Sequence, residues 1–191
     1  MTKAVLRQKY KELRKQLSTE EVNRLSQQLT KQVENWLAGK MDLDHIHLFF
    51  PIAKFNEVNT FYIKESLDRM GKVLYTSQVN RETGGLDTLK LPEDATFFLD
   101  PWDIPVPQES LKVTSTKIQL VFVPLFAYDV QGNRVGFGKG FYDSFLRSFA
   151  QPVVKVGLSF FGPEENCFPE SYDVALDYCI TLDQVWTFGT T

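Results

Sequence analysis

Two cysteines and two histidines are all that 191 residues supply of the soft and borderline metal ligands. Cys167 and Cys179 form no CxxC pair, which argues against a zinc ribbon or a dithiol redox motif, and two buried thiols are expected rather than a disulfide. His45 and His47 alternate within IHLFF, a strand-face pattern that fits no metal motif. No apolar run reaches the ~18 residues of a membrane helix and the first residues carry no signal-peptide pattern, so no membrane partner and a cytoplasmic location are expected. Repeats, low-complexity tracts and interdomain linkers are also missing, so residues 1–191 are expected to form one domain that works as a monomer. An excess of positive charge is lacking as well. A formal net charge of -3 argues against nucleic acid as a partner, which needs a basic footprint.

What is present is an ordinary globular balance, 43% hydrophobic and 24% charged, which excludes a disordered or fibrous chain. Sixteen phenylalanines suit a well-filled core, or a pocket for a flat ligand. The sign of charge is uneven. Lys3, Arg7, Lys9, Lys11, Arg14 and Lys15 face only Glu12, a run that reads as a solvated helix face, a nucleic-acid arm or part of an anion site.

Helix and strand signals alternate along the chain. Leu6, Tyr10, Leu13 and Leu17 recur at helical spacing, and Ser18 with Glu21 predicts a capping box before a second helix carrying Val22, Leu25, Leu29, Val33 and Trp36. Ile46–Ile52 reads as a buried strand, Asn59 or Thr60 as the cap of a helix ending at Gly71, and KVLYTSQV as the next strand. Residues 80–115, with WDIPVP, predict loop-rich structure. Ile118–Asp129 is continuously apolar, as a central strand covered on both faces would be. A short helix at GFYDSFLRSF, a strand at VVKVGLSF and a last strand at YCITL complete an α/β pattern: a three-layer sandwich, its central sheet mostly parallel, with helices on both faces.

The segment GNRVGFGKGFYDSF, Gly132–Phe145, is the densest in chemistry. It is expected at the carboxyl end of a strand, where open α/β sheets bind ligands. Glycines let a phosphate approach the backbone, Arg134 and Lys139 would balance its charge, and Asp143 supplies the carboxylate that an Mg²⁺ ion bridging to phosphate oxygens needs. The common phosphate motifs do not fit. Asn133 stands where a Walker motif wants its first glycine, and Phe141 where GxGxxG wants its third.

The longer stretch FVPLFAYDVQGNRVGFGKGFYDSFL strongly resembles the signature of the 5-formyltetrahydrofolate cyclo-ligase family, P-x-x-x-[FY]-D-x-x-G-x-R-[LV]-G-x-G-[GK]-G-[FY]-Y-D. The Lys3-x-x-x-Arg7 pair, FFPIAKFNEVNT with Glu57 and Thr60, WDIPVP and YDVALDYCIT extend the resemblance over almost the whole chain. Tyr172 departs from it, since many members carry histidine there, and Phe137 and Phe141 stand where tyrosine or arginine is frequent.

The resemblance implies an ATP- and Mg²⁺-dependent ligase that turns 5-formyltetrahydrofolate into 5,10-methenyltetrahydrofolate and releases ADP and phosphate. Carried onto this chain, it implies an ATP site at Lys3, Arg7, Arg134, Gly136, Phe137, Gly138, Lys139, Gly140 and Tyr142, with Arg134 and Lys139 offsetting charge during transfer. It implies Mg²⁺ at Asp143 and Asp173. It implies folate at Glu57, with Phe55, Trp102 and Tyr142 available to pack on flat rings. Each has a plainer alternative: Lys3 and Arg7 as solvated charges, Asp173 as a turn residue, Glu57 as a helix cap and Trp102 as core. Asp177 stays outside the expected metal shell. Two other functions share these residues, a phosphosugar isomerase that needs no ATP and a folate-binding protein without catalysis.

Overall fold

A computed structural model describes residues 2–40 and 42–189. Helix α1 (Lys3–Lys15) starts at Thr2, whose hydroxyl accepts the Val5 N–H. Its first turn has no acidic residue and holds Lys3, the wrong sign for a helix N-terminus, so that charge needs a reason outside the helix. Helix α2 (Thr19–Ala38) opens on the predicted capping box: the Glu21 N–H donates to the Ser18 hydroxyl at 3.2 Å and the Ser18 N–H to the Glu21 carboxylate at 2.7 Å.

The strand expected over Ile46–Ile52 is shorter and earlier. Strand β1 is His45–His47; Leu48 still donates to the Tyr75 carbonyl at 2.8 Å, and the chain then turns away into a 3₁₀ turn at Ala53–Phe55. Asn56 ends that turn at φ 46°. Helix α3 (Phe61–Arg69) has Thr60 at its cap position, but the Thr60 hydroxyl donates instead to the Phe49 carbonyl at 2.5 Å, so it ties the helix to the outgoing strand. Gly71, at φ 71°, lets the chain reverse into strand β2 (Val73–Val79).

The middle stretch is loop-rich as expected, with four short strands set in it: β3 (Leu86–Lys90), β4 (Phe97–Leu99), β5 (Pro105–Pro107) and β6 (Leu111–Val113). Strands β4 and β5 make a separate hairpin, whose tip is held by Asp100 accepting the Trp102 and Ile104 N–H groups at 2.8 and 2.9 Å. The apolar run Ile118–Asp129 is not one strand. Strand β7 (Leu120–Val123) stops at Pro124, which has no N–H for the ladder, and β8 (Ala127–Tyr128) pairs instead with β9 (Arg134–Val135). Their turn is tied by Asp129, which accepts the Gln131 and Asn133 N–H groups, and only glycine fits at position 132: φ is 86° and a Cβ would lie 2.7 Å from the Phe188 ring. Helix α4 (Phe141–Arg147), β10 (Val154–Leu158) and β11 (Tyr178–Ile180) follow as expected. Strand β11 is not the last, because β12 (Val185–Thr187) folds back along it.

The main sheet runs β12-β11-β10-β7-β1-β2-β3-β6. Strands β11, β10, β7, β1 and β2 are parallel; β12 and β3 run antiparallel to them at the flanks, and β6 pairs antiparallel with β3. Alternation along β7 divides the core: Leu120 and Phe122 pack with Leu29, Val33 and Leu37 of α2 and Ile63 and Leu67 of α3, while Val121 and Val123 pack with Phe145 and Leu146 of α4. The result is the expected three-layer α/β sandwich. Helix α1 lies elsewhere, its Leu6 and Tyr10 packed on Phe126, Ala127 and Val135 of the β8–β9 region. Chain order reverses between β1 and β7, and it is at that switch point that open α/β sheets bind their ligands.

Candidate active site

A cavity of about 640 Å³ opens there, lined by Phe49 and Phe50 beyond β1, Pro124 beyond β7, and the end of β2. Every residue singled out from the sequence as a site residue also lines it. The glycine segment arrives by a different route from the one expected. It begins in the turn of the β8–β9 hairpin rather than at the end of a strand of the main sheet, so Arg134 sits on β9, not on a loop.

One end of the cavity is charged. The Lys3 ammonium reaches Asp173 Oδ2 at 2.5 Å and Glu170 Oε2 at 2.7 Å. Burial would lower its pKa, but those two carboxylates outweigh burial and raise it. Arg7, one helical turn on, donates Nε–H to the Gly136 carbonyl at 2.8 Å. Arg134 is 6% exposed; it donates to Asp143 Oδ1 at 2.8 Å and to the Val174 carbonyl. Burial lowers the Arg134 pKa against the pull of Asp143, yet a guanidinium remains charged. Lys139 is exposed and makes no ion pair among the described residues.

The three glycines of the loop have different reasons to be glycine. Gly138 has φ 91°, and a Cβ there would lie 3.2 Å from Arg7 Cζ; Gly140 has φ 69° at the start of α4. Gly136 has neither constraint. Its φ is not positive and a Cβ would meet nothing within 4 Å, so local structure gives no reason for glycine and the open cavity does.

The two expected metal carboxylates are half satisfied. Asp143 Oδ1 accepts from Arg134 and from the Val174 N–H at 3.0 Å, and Asp173 Oδ2 from Lys3 and from the Glu170 N–H at 2.7 Å. The second oxygen of each accepts no hydrogen bond among the described residues. Two carboxylates, each with a free oxygen and each beside a cation, fit Mg²⁺, which takes few protein ligands and keeps water. Among the described residues no three His, Cys, Asp or Glu side chains gather as an all-protein metal cage. Asp177 stays apart, accepting the Lys155 N–H at 2.7 Å.

The other end is aromatic around one carboxylate. Glu57 is 4% exposed and accepts the Ile52 N–H at 2.6 Å. Burial pushes it up to about 7, and the Arg14 charge and the Ile52 N–H hold it from rising further. It does not cap α3. Phe55 packs on Phe137 with ring centres 5.5 Å apart, and Tyr142 stands edge-on to His47 at 6.0 Å. Trp102 at the β4–β5 tip is 43% exposed, with Arg81 over its ring, and is not core. Lys54 and Asp103, 2.7 Å apart, fasten that tip to the 3₁₀ turn.

Neither histidine and neither cysteine lines the cavity. His47 is buried against the Ser77 hydroxyl at 2.7 Å, and burial pushes it down to about 3, so it is neutral. Both thiols are free and buried; burial pushes Cys167 up to about 12 and Cys179 well above its ordinary value. Two residues escaped the sequence reading. Glu170 is an ordinary surface acid in the sequence, and nothing there signals its pairing with Lys3. Arg14 is buried, and a signal existed: it follows Leu6 and Tyr10 at intervals of four on one helical stripe.

Fold and site together define an α/β enzyme in which one cavity joins a cation-lined end to an aromatic, carboxylate-bearing end. The sequence comparisons give the particular kind. The chain belongs to the 5-formyltetrahydrofolate cyclo-ligase family, whose pattern matches residues 1–181, and it is an enzyme of that kind. The Mycoplasma pneumoniae 5-formyltetrahydrofolate cyclo-ligase is 27% identical over 180 residues, 94% of this chain and 98% of its own length. The mouse 5-formyltetrahydrofolate cyclo-ligase is 28% identical over 153 residues, 76% of this chain and 74% of its own. Among solved structures, the Aquifex aeolicus 5,10-methenyltetrahydrofolate synthetase superposes with a TM-score of 0.83 at 26% identity, covering 100% of this chain and 95% of that one.

Proposed function

We propose that this chain uses ATP and Mg²⁺ to close 5-formyltetrahydrofolate into 5,10-methenyltetrahydrofolate, with release of ADP and phosphate. The observation that carries the reading is that one cavity of about 640 Å³ holds the cations Lys3, Arg7, Arg134 and Lys139 at one end and Glu57 among aromatic rings at the other. Two ligands that must react would thereby be held against each other.

The chemistry needs such a site. The formyl oxygen of an N-formyl group leaves poorly, so ring closure stalls unless that oxygen is first turned into a leaving group. Transfer of the γ-phosphoryl group forms the O–P bond as the bond to ADP breaks. The folate N10 then attacks the formyl carbon and loses its proton, and phosphate departs with the C–O bond. Arg134 and Lys139 would offset the charge that spreads over the phosphoryl oxygens, and Gly136, Gly138 and Gly140 would let the triphosphate lie against bare backbone beside Phe137. Lys3 and Arg7, on one face of α1, would hold the outer phosphates. Asp143 and Asp173 would hold Mg²⁺, which would neutralise phosphate charge there. Glu57 would accept hydrogen bonds from the pterin N–H donors, with Phe55, Trp102 and Tyr142 against its faces.

The test is direct. Protein, 5-formyltetrahydrofolate, ATP and Mg²⁺ are mixed, and the near-ultraviolet absorbance of methenyltetrahydrofolate is followed beside ADP release. Equal growth of both is expected. ADP without the methenyl product, or neither from folded protein, would overturn the proposal.

A further inference from the structure

Arg14 has no part in the scheme above, yet it is 3% exposed, and only Nη2 has a partner, the Leu125 carbonyl at 2.6 Å. Nε and Nη1 make no hydrogen bond. The guanidinium lies over the Phe126 ring at 5.0 Å. A buried cation with two orphaned donors is costly to keep unless an opposite charge compensates it.

That opposite charge is Glu57. The two are tied through the backbone: Asn56, next to Glu57 and in the left-handed conformation, donates from Nδ2 to the carbonyls of Arg14 and Leu17 at 2.8 and 3.0 Å. Arg14 and Glu57 share no hydrogen bond, although each feels the other's charge. The separation matters. A direct ion pair would occupy the carboxylate lone pairs, whereas a guanidinium acting at a distance favours the ionised form and leaves one oxygen open to the cavity. The other groups facing Glu57 do not supply this. The Ile52 N–H binds one oxygen, and the Tyr142 phenol on α4 carries no charge, since burial drives its pKa far up.

We infer that Arg14 is a positioning residue for folate recognition, which draws the Glu57 carboxylate toward its ionised form and leaves it open toward the pterin without touching the substrate. The inference rests on the reading that Glu57 holds the pterin. It adds a second role to α1, whose first turn serves the phosphate end and whose last turn serves the folate end.

Steady-state kinetics over pH 6–9 separate the two claims. R14Q is expected to raise the KM for 5-formyltetrahydrofolate at least tenfold at neutral pH with kcat within about threefold, and to regain affinity at alkaline pH as Glu57 ionises. R14K, which keeps the charge without the guanidinium fork, is expected to restore the wild-type pH profile. If E57Q leaves that KM unchanged, the assignment of Glu57 fails. If E57Q raises KM while R14Q keeps the wild-type pH profile, the role of Arg14 alone fails. Should R14Q not fold, the unaltered protein decides by NMR: the Arg14 Nε–H resonance is expected to move with the Glu57 titration, and a flat resonance would overturn the inference.

Discussion

The Lys3 ammonium and the Asp173 carboxylate lie 2.5 Å apart, joining the first turn of α1 to the loop before β11. Arg134 and Asp143 repeat the relationship at 2.8 Å. In both pairs a cation proposed for phosphate is already matched with a carboxylate proposed for metal. Taking only one partner of such a pair leaves the other charge partly buried and unmatched, so Mg²⁺ and ATP should bind together far better than either alone. In calorimetry, ATP with Mg²⁺ should bind at least tenfold more tightly than ATP with a chelator, and Mg²⁺ alone should give no saturating heat. Equal ATP affinity with and without the metal would remove Asp143 and Asp173 from the metal shell.

Gly136 and Gly138 separate binding from folding. Gly138→Ala forces a side chain onto φ 91° and into Arg7, so it should cost about 1–2 kcal/mol of stability. Gly136→Ala meets no atom and an ordinary φ. Its thermal midpoint should stay within a degree or two of wild type while the KM for ATP rises at least tenfold. A normal KM for ATP in the Gly136 variant would show that phosphate does not approach there.

Lys139 and Arg134 carry the same charge in different surroundings. Lys139→Ala, at an exposed side chain, should change stability by less than about 0.5 kcal/mol while costing on the order of 2 kcal/mol in transition-state stabilisation. Arg134→Ala should lose both, since it strands Asp143 and frees the Val174 carbonyl. Urea unfolding together with kcat/KM for each variant reads the difference. A Lys139 variant with full activity would sink its catalytic assignment.

The contrast between these residues also explains what the sequence made legible. Local signals worked where the cause is local: the Ser18–Glu21 capping box and the Gly71 stop are satisfied within one turn of chain. The apolar run 118–129 misled because hydrophobicity reports burial, not pairing, and Pro124 redirects a chain that stays buried on both sides of it. β12 was missed because Val185, Trp186 and Thr187 form an edge strand only half covered, with little pattern to read. The cation-lined end was visible as a motif in one segment, whereas the Lys3–Glu170 contact spans 167 positions and no spacing rule reaches that far.

Glu57 gives the end of the cavity proposed for folate a signature that needs no substrate. Burial raises its carboxyl from 4.5 to about 7, so between those values the folded protein holds a proton that the unfolded chain has released. Stability from this site is therefore fully present below about pH 4.5 and is lost as pH rises through 7. E57Q cannot ionise and escapes that loss. Relative to wild type, E57Q should become progressively more stable from pH 5 to pH 8, by up to a few kcal/mol, as measured by urea midpoints at each pH. The same variant should bind 5-formyltetrahydrofolate poorly, because an amide whose oxygen accepts the Ile52 N–H turns an NH₂ donor toward the pterin N–H groups where the carboxylate presents an acceptor. A stability difference that stays constant across the range would mean that Glu57 is ionised throughout and that its burial is compensated more fully than the Arg14 and Ile52 contacts account for.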